Sequence, residues 1–159
     1  MHLLGIPKGD GTGQEVIAKW RVLDDDFGNL STFYTDSNGL EMQKRVLNYR
    51  ETFDLKTNMT TSANYYPINS AIALVNEPAF MNQDLKQITV MNDRAQGGSS
   101  LENGSIELMQ NRRLFFDDDR GVEECLDETE GNRRNAKGIA VNAIYRVQLV
   151  FRGTKSTQR

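Results

Sequence analysis

The stretch Gly138 to Arg152, "GIAVNAIYRVQLVFR", constrains the fold more than any other part of the chain. Ile139, Val141, Ala143, Tyr145, Val147, Leu149 and Phe151 take every second position, with Asn142, Arg146 and Gln148 between them. Side chains alternate across a strand, so this period gathers the apolar residues on one face and predicts a long half-buried β-strand. Shorter runs repeat the pattern. "EVIAKWRVL" sets Val16, Ala18, Trp20 and Val22 on one face, and "STFYT" is β-branched and aromatic. "LEMQKRVLNYR" alternates Leu40 and Met42 with charged residues and is expected to continue past Val46. "KQITVMN" offers Ile88 and Val90, and "GSIELMQ" offers Ile106 and Leu108. "NYYPINSAIALVN" reads as one or two strands, with Pro67 confined to an edge or a strand start because it has no N–H to donate.

Turn chemistry separates these runs at Asp36-Ser37-Asn38-Gly39, at Gly97-Gly98, whose glycines permit positive φ or close backbone approach in a tight hairpin, and at Glu102-Asn103-Gly104. Helical periodicity is scarce, and its best candidate, Leu40 to Tyr49, is too β-branched and lacks a firm cap. The expectation is an all-β fold: an antiparallel β-sandwich forming a single domain over residues 1–159. Residues 117–137 are acidic, then basic, and nearly free of apolar side chains, which predicts a long surface loop.

Charge and hydropathy exclude several classes. A net charge of −3 and a pI near 5.2 provide no basic footprint for nucleic acid. No apolar run approaches the roughly eighteen residues that span a bilayer, so no membrane partner is expected. The opening "MHLLGIPKGDGTGQ" lacks a basic region followed by an apolar block, so it is not a signal peptide. Three Asn-X-Ser/Thr sequons, at Asn29, Asn58 and Asn103, nevertheless favour synthesis in the secretory pathway. Sequons without a leader point to a fragment of a larger protein.

The residues for catalysis are thinly supplied. "GDGTG" at Gly9 to Gly13 lacks the Gly-Lys-Ser/Thr ending of a phosphate loop and reads as a flexible entry to the first strand. His2 is the sole histidine, so neither a His-based zinc site nor a Ser-His-Asp triad can assemble within this chain, and no metal ligands are assigned. The aspartate runs at Asp24 to Asp26 and Asp117 to Asp119 lack the alternating spacing of a calcium loop. Cys125 sits among Glu123, Glu124, Asp127 and Glu128, which disfavour the thiolate. The 22 acidic residues could include a pair for glycoside chemistry, but sequence does not show which two lie about 5–10 Å apart. Arg112 and Arg113, ahead of the Asp117 run, offer either surface salt bridges or one guanidinium aimed at a neighbouring site; alternation gives the two different jobs.

Long contiguous motifs carry a resemblance. "FYTDSNGLEMQKRVLNYR", "ANYYPIN" and "ITVMNDRAQGGSSLENGSIELMQNRRLFFDDDRGV", in this order, resemble the class II α-mannosidases of glycoside hydrolase family 38, most nearly the lysosomal-type branch. "GIPKGDGTGQEVIAKW" resembles the segment that precedes them there. The resemblance covers about Leu4 to Val122 and fades from Glu123, apart from the last strand.

The resemblance implies a piece of that family's C-terminal β-sandwich region, of the galactose-mutarotase-like supersandwich type. It implies a zinc ion in the parent enzyme, held with the aspartate nucleophile and the acid/base aspartate on an N-terminal catalytic domain absent here. The parent's retaining reaction removes terminal α-linked mannose from glycoprotein glycans in the lysosome or another secretory compartment. This chain alone is then inactive and without a cofactor of its own, and its partners are the missing catalytic domain and mannose-containing glycans. Arg112 and Arg113, in "NRRL", are the residues expected to contribute to the mannose pocket. Exposed strand edges in an excised sandwich are expected to cause self-association. The alternatives are a free-standing carbohydrate-binding sandwich that recognises mannosides, which Trp20 on an apolar face disfavours, and an independent two-carboxylate hydrolase.

Overall fold

A computed structural model describes residues 2–3, 14–23, 27, 31–52, 54–55, 59–76, 84–114, 121, 129–130 and 137–153. Among these, the strands in chain order are β1 (His2–Leu3), β2 (Gln14–Arg21), β3 (Thr32–Ser37), β4 (Glu41–Val46) and β5 (Tyr66–Ile68). They continue with β6 (Ala71–Val75), β7 (Leu85–Asn92), β8 (Gln96–Ser99), β9 (Ser105–Arg113) and β10 (Thr129–Glu130). The last are β11 (Lys137–Gly138), β12 (Val141–Asn142) and β13 (Tyr145–Arg152). No α-helix occurs among the described residues, so none is long and apolar enough to cross a membrane. The all-β expectation holds, with two antiparallel sheets in a sandwich-like arrangement.

The chain falls into two compact units: Met1–Ala18 with Leu108–Ile144, and Lys19–Glu107 with Tyr145–Arg159. In the latter a five-stranded antiparallel sheet runs β13-β7-β6-β3-β4. The second sheet has the order β2-β9-β8-β5, and β5 pairs antiparallel with β8. The two layers meet edge-on at Phe33 and Tyr66, with ring centroids 5.7 Å apart, and at Trp20 and Tyr145, 5.0 Å apart. Between them Phe33, Ile68, Ile72, Leu74, Ile88, Val90 and Ile106 are buried. Each such side chain contributes roughly 1.5–3 kcal/mol by leaving water.

Local chemistry explains where strands stop. At the β3–β4 hairpin Asn38 and Gly39 both have positive φ, 51° and 72°, and the Leu40 N–H donates to the Ser37 carbonyl across 2.9 Å. This is the Asn-Gly turn whose twist matches the flanking strands. "NYYPINSAIALVN" resolves into two strands because the N–H groups of Asn69, Ser70 and Ala71 all turn to Oδ1 of Asp36. Pro67 lies on β5, an outer strand of its sheet, where no ladder bond is lost.

Three expectations need correction. β4 does not pass Val46, because Asn48 adopts a positive φ of 58° and its N–H donates to Oδ1 of the buried Asn64. Gly97 and Gly98 lie within β8 instead of forming a turn. A Cβ on Gly97 would lie 3.2 Å from Cδ1 of Tyr65, so close approach accounts for that glycine. The turn falls at Glu102–Gly104, where Gly104 has a φ of 69°. Finally, the period-two run from Gly138 is not one half-buried strand. It breaks at Ala143 and Ile144, giving β12, which pairs with β1, and β13, which pairs with β7 and stays largely exposed.

In the unit containing residues 108–144, β1 pairs with β12 through His2↔Asn142 and Leu3↔Val141, and β10 pairs with β11. Ala18, Leu108 and Ala143 are buried there. Of residues 117–137, only Gly121, the two residues of β10 and Lys137 are described.

Candidate functional site

β9 carries the arginine pair, and its alternation decides what each arginine can reach. Ile106, Leu108, Gln110 and Arg112 share one face, while Glu107, Met109, Asn111 and Arg113 share the other. Arg113 is only 3% exposed. The side chain of Arg112 is 46% exposed, and its Nε lies 3.1 Å from Oε1 of Glu15 on β2. The end of β9 is held by Asn111, whose side-chain amide donates to the Ile139 carbonyl across 3.3 Å and whose Oδ1 accepts the Arg112 N–H at 2.8 Å. One guanidinium is thus built into the protein, and its neighbour rests in an exposed ion pair that breaks at little cost.

Further back on β9 lies a polar cluster that sequence reasoning missed. The buried Glu107 carboxylate accepts a 2.5 Å hydrogen bond from the Tyr65 hydroxyl. Lys19 Nζ lies 3.9 Å from Oε2 of Glu107 and 2.8 Å from Oε1 of Glu102. Lys19 holds the Glu102 carboxyl below its ordinary value, chiefly through that hydrogen bond. The sequence clue was the adjacent tyrosines of "YYP", of which Tyr65 closes a 3-10 turn over Ser62–Asn64 and Tyr66 opens β5. Tyr66 is the buried one, and the guanidinium carbons of Arg45 and Arg50 lie 4.4 Å and 4.7 Å from its ring centroid.

The remaining candidates are widely distributed. Asn103 is exposed in the Glu102–Gly104 turn. Asn29, Asn58, Cys125, the "GDGTG" loop and both aspartate runs lie outside the described residues. Among the described residues no three His, Cys, Asp or Glu side chains are close enough together to hold a metal ion.

Comparison with known proteins adds an independent line. The family profile described as "Glycosyl hydrolases family 38 C-terminal domain" matches residues 19–120. A lysosomal alpha-mannosidase of Felis catus is 46% identical over 148 residues, covering 93% of this chain and 14% of that protein. The lysosomal alpha-mannosidase of Homo sapiens is 45% identical over 144 residues, covering 91% of this chain and 13% of that protein. An alpha-mannosidase of Arabidopsis thaliana is 41% identical over 144 residues, again 91% and 13%. The chain therefore spans 13–14% of the length of these relatives.

Proposed function

Because this chain belongs to the glycosyl hydrolase family 38 C-terminal domain family, we propose that it is the non-catalytic β-sandwich portion of a zinc-dependent, retaining α-mannosidase. The observation that carries this is the 41–46% identity, over nearly the whole chain, to one short stretch of proteins named as α-mannosidases. Lysosomal residence, or another secretory compartment, follows the names of the animal relatives. The zinc ligands, nucleophile and acid/base belong to flanking polypeptide, and glycans rich in terminal α-mannose are the substrate of the whole.

Within that assembly Arg112 is the residue that reaches the mannose pocket. Its exposed pair with Glu15 can be exchanged for sugar hydroxyls, which a planar guanidinium meets with two donors at once. Arg113 acts through the backbone, fixing the end of β9 from its buried position. A free-standing sugar-binding module is less well supported, since the Trp20 ring packs edge-on against Tyr145 and is not presented as a flat platform.

The test is an assay of α-mannoside hydrolysis by this chain with zinc added, expected to show no turnover above buffer. Robust turnover overturns the proposal.

A further inference from the structure

The two outer strands of the five-stranded sheet, β13 and β4, differ in what they turn inward. The inner face of the five-stranded sheet contains two cross-strand rows, Val147–Val90–Ile72 and Leu149–Ile88–Leu74. Along the first row exposure falls from 44% at Val147 to 0% at Val90 and Ile72. Along the second it falls from 56% at Leu149 to 5% at Ile88 and 0% at Leu74. Phe151, next along β13 on that face, is 66% exposed. Trp20 covers Tyr145, at the start of the strand. Beyond it, β13 keeps an apolar residue at each inward position, Val147, Leu149 and Phe151, and all three are exposed.

The opposite edge of this sheet is built differently. There the outer strand is β4, whose inner positions opposite Thr35 and Phe33 are Gln43 and Arg45. Polar and charged inward residues are the usual protection of a sheet edge. β13 has no such protection. Among the described strands it pairs with β7 alone, so alternate residues turn their N–H and C=O groups outward along eight residues.

We propose that β13 is a docking edge for one further β-strand, supplied by the polypeptide that flanks this region in the full-length protein. That strand presents apolar residues over Val147, Leu149 and Phe151, and acidic residues beside Arg146 and Arg152 on the outer face. The proposal rests on the chain being part of a longer family 38 protein, of which its relatives are several times its length. The charge requirement comes from β13 itself. Its sequence, YRVQLVFR, has two arginines and no carboxylate, and their cross-strand neighbours on β7 are Met91 and Leu85. Neither arginine has an ion-pair partner among the described residues. A second copy of β13 is a poor occupant, because it brings four arginines to one face with nothing to offset them, and like charges across strands destabilise pairing.

The test uses the 159-residue chain and two soluble synthetic peptides of alternating Val/Leu and polar residues, one with Glu and one with Lys at the polar positions. Amide hydrogen exchange and calorimetry read the outcome. The Glu peptide is expected to protect alternate amides of β13 and to bind at least ten-fold more tightly than the Lys peptide. In the R146E/R152E variant, checked for folding by circular dichroism, the preference inverts. Equal affinity for the two peptides, or no protection in β13, overturns the proposal. So does a dimer of the chain that Leu149→Lys abolishes, which makes a second copy the occupant. Mannosidase activity enters none of these readouts, so failure here and failure of the proposed function are distinguishable.

Discussion

The Tyr65 hydroxyl donates to Oε1 of Glu107 across 2.5 Å, joining residues 42 positions apart. Glu107 is buried, so deleting the donor leaves its carboxylate with Lys19 Nζ 3.9 Å away and without that hydrogen bond. Tyr65→Phe is therefore expected to cost about 1.5–3 kcal/mol, the range for a hydrogen bond to a charged group. Glu107→Gln in the Tyr65→Phe background should cost less than it does alone, and urea unfolding of the four species gives the coupling. Gly97→Ala belongs to the same cycle, because its Cβ would lie 3.2 Å from the Tyr65 ring. It should destabilise the wild type by about 1 kcal/mol and Tyr65→Ala hardly at all. Additive losses would show that the ring is not what Gly97 accommodates.

The two adjacent arginines should separate cleanly under mutation. Arg112→Ala removes an exposed pair with Glu15 and should change the stability of this chain by no more than about 1 kcal/mol. Arg113→Ala empties a buried charged position and should cost about 3 kcal/mol or more. If Arg112 reaches the pocket as proposed, the order should reverse for activity of the full-length protein at fixed stability. There Arg112→Ala should lower kcat/KM by about 10- to 100-fold, since a charged hydrogen bond contributes about 1.5–3 kcal/mol and 1.4 kcal/mol is tenfold. Thermal unfolding and mannoside kinetics on both variants check this. Wild-type kcat/KM in Arg112→Ala would remove that residue from the pocket.

Much of this fold was legible because local chemistry and tertiary packing agree. Val16, Ala18 and Trp20 alternate in the sequence, and Ala18 is buried in β2. Asn38-Gly39 is a turn by residue type and by φ. The arginines of β9 diverge because period two requires it. What failed did so for one physical reason: periodicity reports a face that can be buried, not the layer that buries it. "GIAVNAIYRVQLVFR" has the strongest period in the chain, yet Val147, Leu149 and Phe151 are 44%, 56% and 66% exposed. Likewise, nothing in "QGGSS" shows that the Tyr65 ring lies against Gly97, and nothing around Val46 shows that Asn64 ends the strand. Those contacts are made by residues distant in sequence.

The Asn48–Asn64 pair supplies the next prediction. Asn64 accepts the Asn48 N–H at 2.8 Å and donates from its side-chain amide to Oδ1 of Asn48 at 2.9 Å and to the Thr60 carbonyl at 2.6 Å. Asn48 itself sits at a φ of 58°, where non-glycine residues other than Asn and Asp are disfavoured. Asn48→Ala should thus cost about 1–2 kcal/mol and Asn48→Gly less, because glycine restores the backbone freedom. Asn64→Ala should cost the most, about 2–3 kcal/mol, since buried partners lose their bonds together. Equilibrium unfolding ranks the three. Asn48→Gly no better than Asn48→Ala would mean that the positive φ carries little strain at this turn.

Acid sensitivity should centre on Asp36. Burial pushes its carboxyl upward, but the N–H groups of Ser70, Ala71, Gly39 and Asn69 outweigh that and hold it below its ordinary value of 3.8. Three of these donors converge on Oδ1 and the Gly39 N–H meets Oδ2 at 2.8 Å. A group depressed on folding contributes fully above its unfolded value, and that contribution is lost as pH falls through the folded value. The wild type should hold this part of its stability at pH 5 and above and lose it progressively below about pH 4. Asp36→Asn keeps an oxygen for the three loop amides but turns an amide donor toward the Gly39 N–H. It should cost about 2–3 kcal/mol at neutral pH, with a stability curve that falls less steeply than the wild type as acid is added. Urea midpoints measured from pH 7 to pH 3 on both proteins test the sign directly: curves that run parallel through the acid limb would mean that Asp36 is not the titrating link between the β3–β4 turn and the start of β6.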